Sequence, residues 1–332
     1  MYNHYQPSFD LTLAQLDKKA AQFKAMRHPG DLAALLKADA AQVKKFAEKP
    51  FYHQFSIPKP GGARRIIHNP NPDLKNLQVA LNLYLQCAYY QLKPPAAYGF
   101  IPRPTDEAQP RNIYTNAMQH HGADWVLNLD MKDYFHTVNS RHLTWVFREL
   151  FEFPEPLSNQ LVGLTTCRGI LPMGASTSPV LSNLAALPLD HDLQGLANMI
   201  DANYSRYVDD MTFSLELQPT ALLIEEITLK VEKQGFRINE TKTRTTHRNK
   251  HPEVTGLLLK QPNPDISDSF LKNLRKDIKL LRRLTSPHMM ERGIFHANML
   301  DKLRQSITGQ LNFLAFIRGK NDVTYRELAA LA

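Results

Sequence analysis

Two adjacent carboxylates, Asp209 and Asp210, stand between short runs that alternate like strands, Tyr204-Ser205-Arg206-Tyr207 before them and Met211 to Leu215 after. The pattern predicts strand, tight turn, strand, with both acids projecting from the turn. Asp is a common turn residue, so the pair alone carries little weight. A third acid changes that. Asp130 closes the apolar run Val126-Leu127-Asn128-Leu129, and two strands that deliver acids to one end of a sheet can hold two divalent cations. Neighbouring carboxylates repel unless a cation neutralises them, and hard oxygens suit Mg2+, with Mn2+ a possible substitute. Two such ions, about 3.5–4 Å apart, clamp the attacking and leaving oxygens of an in-line phosphoryl displacement.

The order of these residues resembles the reverse transcriptases. An Asp with an aromatic residue five positions on (Asp130, Phe135) precedes a Tyr-x-Asp-Asp hairpin (Tyr207 to Asp210). The resemblance runs roughly from Phe51 to Arg318. It implies an α+β right-hand polymerase fold with fingers, an antiparallel palm sheet carrying the acids, and a helical thumb. It also implies metal-dependent DNA synthesis from dNTPs on an RNA template, with a sugar hydroxyl attacking and pyrophosphate leaving. Phe135 would pack under the incoming sugar and disfavour a 2′-hydroxyl.

Three further segments fit the same family. Phe55 to Lys59 and Arg64 to His68 flank Pro60-Gly61-Gly62, a hairpin signal. It resembles the fingers hairpin, whose basic residue reaches the triphosphate; Arg65 is the better candidate, with Arg64 left open. Leu171 to Pro179, around Gly174, resembles the loop-to-helix segment beside the templating pair, where a glycine allows close backbone approach. Met173 stands where many members carry Gln. Lys242 matches the family's proton donor to pyrophosphate, and a surface lysine in a turn-rich stretch explains it equally well.

Asn116-Ala117-Met118-Gln119-His120 fits an Asn-Ala-x-x-His signature, and Val254-Thr255-Gly256 fits a Val-Thr-Gly triplet. Together they resemble the retron reverse transcriptases. That likeness implies copying of a structured non-coding RNA into single-stranded DNA (msDNA) from a 2′-hydroxyl of a guanosine within the same RNA. The product is a branched RNA–DNA molecule, and the implied role is antiphage defence with an effector protein as partner. Asn116, His120, Val254, Thr255 and Gly256 become candidate RNA contacts, against a plainer reading as core residues. Val254 to Leu259 is predicted as a strand. Two other readings fit the same residues: another bacterial reverse transcriptase, of the intron-encoded or abortive-infection type, or a catalytically silent RNA-binding scaffold.

These residues need a frame. Residues 1–50 are expected as an N-terminal helical extension, 51–262 as fingers and palm, and 263–332 as the thumb. Leu11, Leu13, Leu16, Leu32, Leu35 and Leu36 supply apolar faces, with Pro29-Gly30 dividing two helices. Leu74 to Leu92 is predicted as a long helix ending before Pro94-Pro95, and Ile101 to Arg111, rich in proline and polar residues, as an exposed excursion. In Phe270 to Arg283, Leu271, Leu274, Ile278 and Leu281 recur at helical spacing. Lys272, Arg275, Lys276, Lys279, Arg282 and Arg283 fall opposite, where phosphate contacts would make RNA binding salt-dependent.

Composition agrees. The 332 residues carry 40 Lys plus Arg against 32 Asp plus Glu, a net charge of +8, which favours a polyanionic partner. Cys87 and Cys167 lie far apart without metal-like spacing, which points to a reduced, cytoplasmic setting. Met1 to Pro7 lacks the regions of a signal peptide, and no apolar run approaches the ~18 residues of a membrane span. No membrane partner is expected.

Overall fold

The computed structural model describes residues 10–58, 62, 64–286 and 297–332. Three short helices open it, Leu13–Lys24, Pro29–Leu36 and Ala40–Glu48, where the sequence predicted two. Pro29 sits in the first turn of its helix, where a missing N–H is harmless. The second break falls at Lys37, which turns left-handed at φ 53°; Asp39 then caps the third helix by accepting from the Gln42 N–H. Leu16, Phe23, Leu32, Leu36, Val43 and Phe46 are buried in the same core as the palm.

Strands β1 (Tyr52–Pro58) and β2 (Arg64–Pro70) form an antiparallel ribbon, paired from Tyr52↔Pro70 to Pro58↔Arg64. Of the expected Pro60-Gly61-Gly62 turn, only Gly62 lies within the described residues. A long helix, Pro72–Leu92, follows its Asn71 cap and stops at Lys93, just before the two prolines. The stretch from Ile101 to Arg111 is irregular, with Arg103, Thr105, Asp106, Ala108 and Gln109 exposed as expected, but it is anchored. Ile101, Pro102 and Pro104 are buried, and Asp106 accepts from the Leu13 N–H at 2.9 Å, so the segment straps down the first helix. Proline has no N–H to satisfy, which makes it a tolerable buried residue in irregular chain.

The palm is a four-stranded antiparallel sheet of β3 (Trp125–Asp130), β4 (Asn203–Tyr207), β5 (Asp210–Leu215) and β6 (Arg244–His247), in the order β4-β5-β3-β6. Partners across a ladder point to one face. Leu127↔Phe213 and Leu129↔Met211 therefore share the face turned to the main core. Val126↔Ser214, Asn128↔Thr212 and Asp130↔Asp210 share the other.

That second face meets a separate apolar cluster containing Ile113, Ala117, Val126, Val254 and Leu257 together with thumb residues. The thumb helix Asp268–Leu284 buries Leu271, Leu274, Ile278, Leu281 and Leu284 and exposes all six expected cations. Helices Ala297–Arg318 and Val323–Leu331 complete it. The architecture is α+β, an antiparallel palm sheet between a two-stranded fingers ribbon and a helical thumb. Among the described residues no helix is long and apolar enough to cross a membrane.

The predicted strand from Val254 to Leu259 is instead a miniature hairpin, β7 (Glu253–Val254) paired with β8 (Leu257–Leu258). Thr255 and Gly256 turn between them at φ 50° and 84°, the left-handed pair that a tight hairpin requires.

Candidate active site

Register brings the acids together. Asp130 ends β3 directly opposite Asp210 at the start of β5, and side chains so placed lie about 4.5–5.5 Å apart at Cβ. Asp209 occupies the two-residue turn between β4 and β5, and its carbonyl accepts from the Met131 N–H at 2.9 Å, which fastens the turn to the end of β3. Asn239 clamps Asp130 from the far side: its N–H donates to the Asp130 carbonyl at 2.7 Å, and its amide to Oδ2 at 3.2 Å. Lys242 Nζ donates to Asp130 Oδ1 at 2.5 Å.

The electrostatics follow from this crowding. Burial raises the Asp209 carboxyl above its ordinary value, with Asp130 adding to the rise and Lys242 and Arg65 opposing it. Burial, then the charges of Asp209 and Asp130, push Asp210 up to about 7. Lys242 is raised chiefly by its hydrogen bond to Asp130. Three hard-oxygen donors whose mutual repulsion one ammonium only partly offsets form a set suited to divalent cations. Among the described residues no three such groups are already closed around one metal position.

The neighbouring candidates fall into place unevenly. Phe135 is half-buried, its ring 6.2 Å from that of Phe100. Gly174 has φ 124°, and a Cβ there would stand 2.9 Å from the His68 carbonyl of β2; beside it the His68 N–H donates to the Met173 carbonyl at 2.8 Å. The glycine is thus a point of close contact between this loop and β2. Arg64 bonds to Ser56, Nε to Oγ at 2.7 Å, and the charge of Arg65 opposes the rise at Asp209.

Asn116 and His120, expected as RNA contacts, lie inside the protein. His120 is 1% exposed, and its two ring nitrogens meet Ser214 Oγ at 2.8 Å and Ser205 Oγ at 2.7 Å. Burial lowers its pKa to about 3, so the ring is neutral at any ordinary pH. Neither side chain offers surface to an RNA here: Asn116 is buried on the helix Ile113–Met118, and His120, in the turn that follows it, is buried against the polar face of the sheet. Val254 is buried as well. Thr255 Oγ1 donates to the Ile113 carbonyl at 3.2 Å, so the Val-Thr-Gly turn touches the helix that carries Asn116 and Ala117.

Thr255 and Gly256 line the same cleft, of about 610 Å³, as Asp130, Asp209 and Asp210. Sequence reasoning missed its other wall, Arg244, Lys250 and His251. The signal was there: Lys242, Arg244, Arg248 and Lys250 fall two, four and two positions apart, and β6 (Arg244–His247) lies at the edge of the sheet.

The sequence profile of the reverse transcriptase (RNA-dependent DNA polymerase) family matches residues 57–264. The chain belongs to this family. Its similarity to the retron Mx162 reverse transcriptase of Myxococcus xanthus is 31% identity over 244 residues, covering 64% of this chain and 48% of that protein. For the retron Ec86 reverse transcriptase of Escherichia coli the identity is 28% over 232 residues, 68% of this chain and 69% of that one. For the retron Mx65 reverse transcriptase of Myxococcus xanthus it is 33% over 225 residues, 62% and 50%. The chain thus spans about half the length of two of these three reverse transcriptases. Among solved structures, a foamy viral protease–reverse transcriptase in complex with double-stranded DNA has a TM-score of 0.43 at 18% identity, covering 84% of this chain and 38% of that chain.

Proposed function

We propose that this reverse transcriptase is the RNA-directed DNA polymerase of a retron. It would copy a structured non-coding RNA into single-stranded DNA, primed from a 2′-hydroxyl of that RNA, with the branched RNA–DNA molecule as product. The observation that carries the reading is the register Asp130↔Asp210 with Asp209 in the adjoining turn, three carboxylates on one end of an antiparallel sheet. The retron assignment draws its support from the relatives and from the Asn-Ala-x-x-His and Val-Thr-Gly triplets.

Asp130, Asp209 and Asp210 would hold two Mg2+, or Mn2+ in their place. Bound there, the ions supply Lewis acidity to the attacking and leaving oxygens. The remaining work falls to the chain's own groups. Lys242, whose Nζ bonds to Asp130 at the edge of the site, would give a proton to the departing pyrophosphate. Arg65 balances charge on the triphosphate, Phe135 fills the space a ribose 2′-oxygen would need, and Gly174 lets the backbone approach the nascent base pair. Thr255 and Gly256 present the turn of their hairpin to the strand entering the cleft. Lys272, Arg275, Lys276, Lys279, Arg282 and Arg283 track the phosphates of RNA or hybrid. A retron effector protein and a role in antiphage defence complete the proposal.

The test is extension of an annealed primer on an RNA template with dNTPs and Mg2+, together with sequencing of nucleic acid that co-purifies with the protein. Asp209→Asn keeps the size of the side chain and removes a charge, and we expect about a thousandfold loss of rate. The co-purified material should be one structured RNA joined to DNA. Full activity in Asp209→Asn would overturn the site, and DNA joined to no RNA would overturn the retron reading.

A further inference from the structure

Beneath the catalytic turn lies an ion pair that the chemistry above does not use. Arg206, on β4, is 0% exposed. Its guanidinium forks onto Asp190, Nε to Oδ1 at 2.7 Å and Nη2 to Oδ2 at 2.6 Å. Nη1 reaches the Val208 carbonyl at 2.9 Å and Asn183 Oδ1 at 3.0 Å. Tyr204 OH also donates to Asp190 Oδ1, at 3.0 Å, so the carboxylate is satisfied from two sides.

Val208 is the residue that needs holding. Its φ is +62°, at the first position of a two-residue hairpin turn where glycine is the usual occupant. For a β-branched residue this conformation is a true outlier, and such strain persists only when the surroundings impose it. They do so from both sides. Gly99 packs so closely on Val208 that a Cβ would stand 2.8 Å from its backbone nitrogen. Asn183, already bound to Arg206, holds the Gly99 carbonyl at 2.9 Å. Asp209 and Asp210 follow immediately.

We propose that Arg206 is a positioning residue: oriented by Asp190, it holds the Val208 carbonyl and keeps the turn in the strained form that aims Asp209 and Asp210 at their cations. A buried ion pair adds little net stability over an apolar pair of the same volume. Its use here lies in the direction it gives to Nη1. The proposal rests on the polymerase reading only for its rate consequence; its consequence for metal affinity is independent.

The test compares wild type, Arg206→Lys, the apolar exchange Asp190→Leu with Arg206→Met, and Arg206→Lys with Val208→Gly. Thermal melting reads the fold, Mn2+ titration followed by electron paramagnetic resonance reads the ligands, and primer extension gives kcat and KM. A lysine cannot serve Asp190 and Val208 together. We expect Arg206→Lys and the apolar exchange to fold while binding Mn2+ about 10–100-fold more weakly, with the loss of rate in kcat rather than KM for dNTP. Glycine adopts φ > 0 without support, so Val208→Gly should restore metal affinity to Arg206→Lys. Wild-type Mn2+ affinity in the folded variants would overturn the proposal, as would the absence of rescue by glycine. Failure of both the lysine variant and the apolar exchange to fold would also overturn it, by making the pair a support of the core rather than of the turn. A wild-type protein that binds Mn2+ but never extends a primer would sink the polymerase reading alone.

Discussion

Acidification isolates the contribution of His120. In the folded protein burial holds its pKa near 3, against an ordinary 6.5. The folded pKa is depressed, so between those values the unfolded chain binds the proton and the native chain does not. Stability from this group is complete above pH 6.5 and drains away as pH falls. At pH 5 the linkage amounts to about 2 kcal/mol, since each pH unit below the unfolded pKa costs roughly 1.4 kcal/mol. Other groups titrate over the same range, so the measurement must be a difference. His120→Gln retains an amide for Ser205 or Ser214 but carries no titrating proton. It should cost about 1–3 kcal/mol at pH 7.5 from imperfect pairing. That deficit should shrink by about 2 kcal/mol at pH 5. Urea unfolding of both proteins at pH 7.5, 6 and 5 gives the two curves. Parallel curves would refute the reasoning, because they would mean that His120 takes up its proton without leaving the fold.

Three other outcomes follow from the geometry around the acids. Phe135→Ala should raise ribonucleotide incorporation relative to deoxyribonucleotide by about tenfold or more, the range one lost pocket contact supplies; an unchanged ratio of kcat/KM values would mark the ring as packing only. Gly174→Ala places a Cβ 2.9 Å from the His68 carbonyl at φ 124°, so it should cost about 1–3 kcal/mol and raise KM for dNTP as β2 is displaced; normal melting and KM would refute the close approach. Lys272→Gln with Lys279→Gln should flatten the slope of log affinity against log salt by roughly 1.4–1.8 for every RNA alike; a change confined to one RNA sequence would show that the helix reads more than phosphate.

What the sequence made legible was periodic or local. Asp130, Asp209 and Asp210 could be placed because strand alternation and a two-residue turn leave few alternatives, and the thumb helix because its leucines and cations keep helical spacing over four turns. The misreadings share a cause. Residue type was taken as a sign of exposure in Ile101 to Arg111, where Pro102 and Pro104 are buried, and a family signature left Asn116 and His120 open between RNA contact and core. The partners that decide these cases lie far along the chain: Ser205 and Ser214 are 85 and 94 residues from His120. Arg206 was hidden for the same reason, since nothing local marks Asp190 and Asn183 as its neighbours.

The polar face of the palm gives the buried histidine its place in the argument. Asp130↔Asp210, Asn128↔Thr212 and Val126↔Ser214 follow one another down that face, and β4 continues the rows with Tyr207, Ser205 and Asn203. A slip of one residue in β5 would carry Asp210 and Ser214 to the opposite face together. His120 bonds to Ser205 on β4 and Ser214 on β5 at once, across neighbouring rows, and no slipped register would leave both hydroxyls within its reach. The imidazole therefore opposes the slip that would separate the acids, acting through the ladder from roughly 13 Å below them, four residues at the rise of a strand. It follows that Asn116→Ala with His120→Ala should depress extension on an unrelated template as much as priming on a cognate RNA, since what is lost is a tie on the β4–β5 hairpin that carries Asp209 and Asp210.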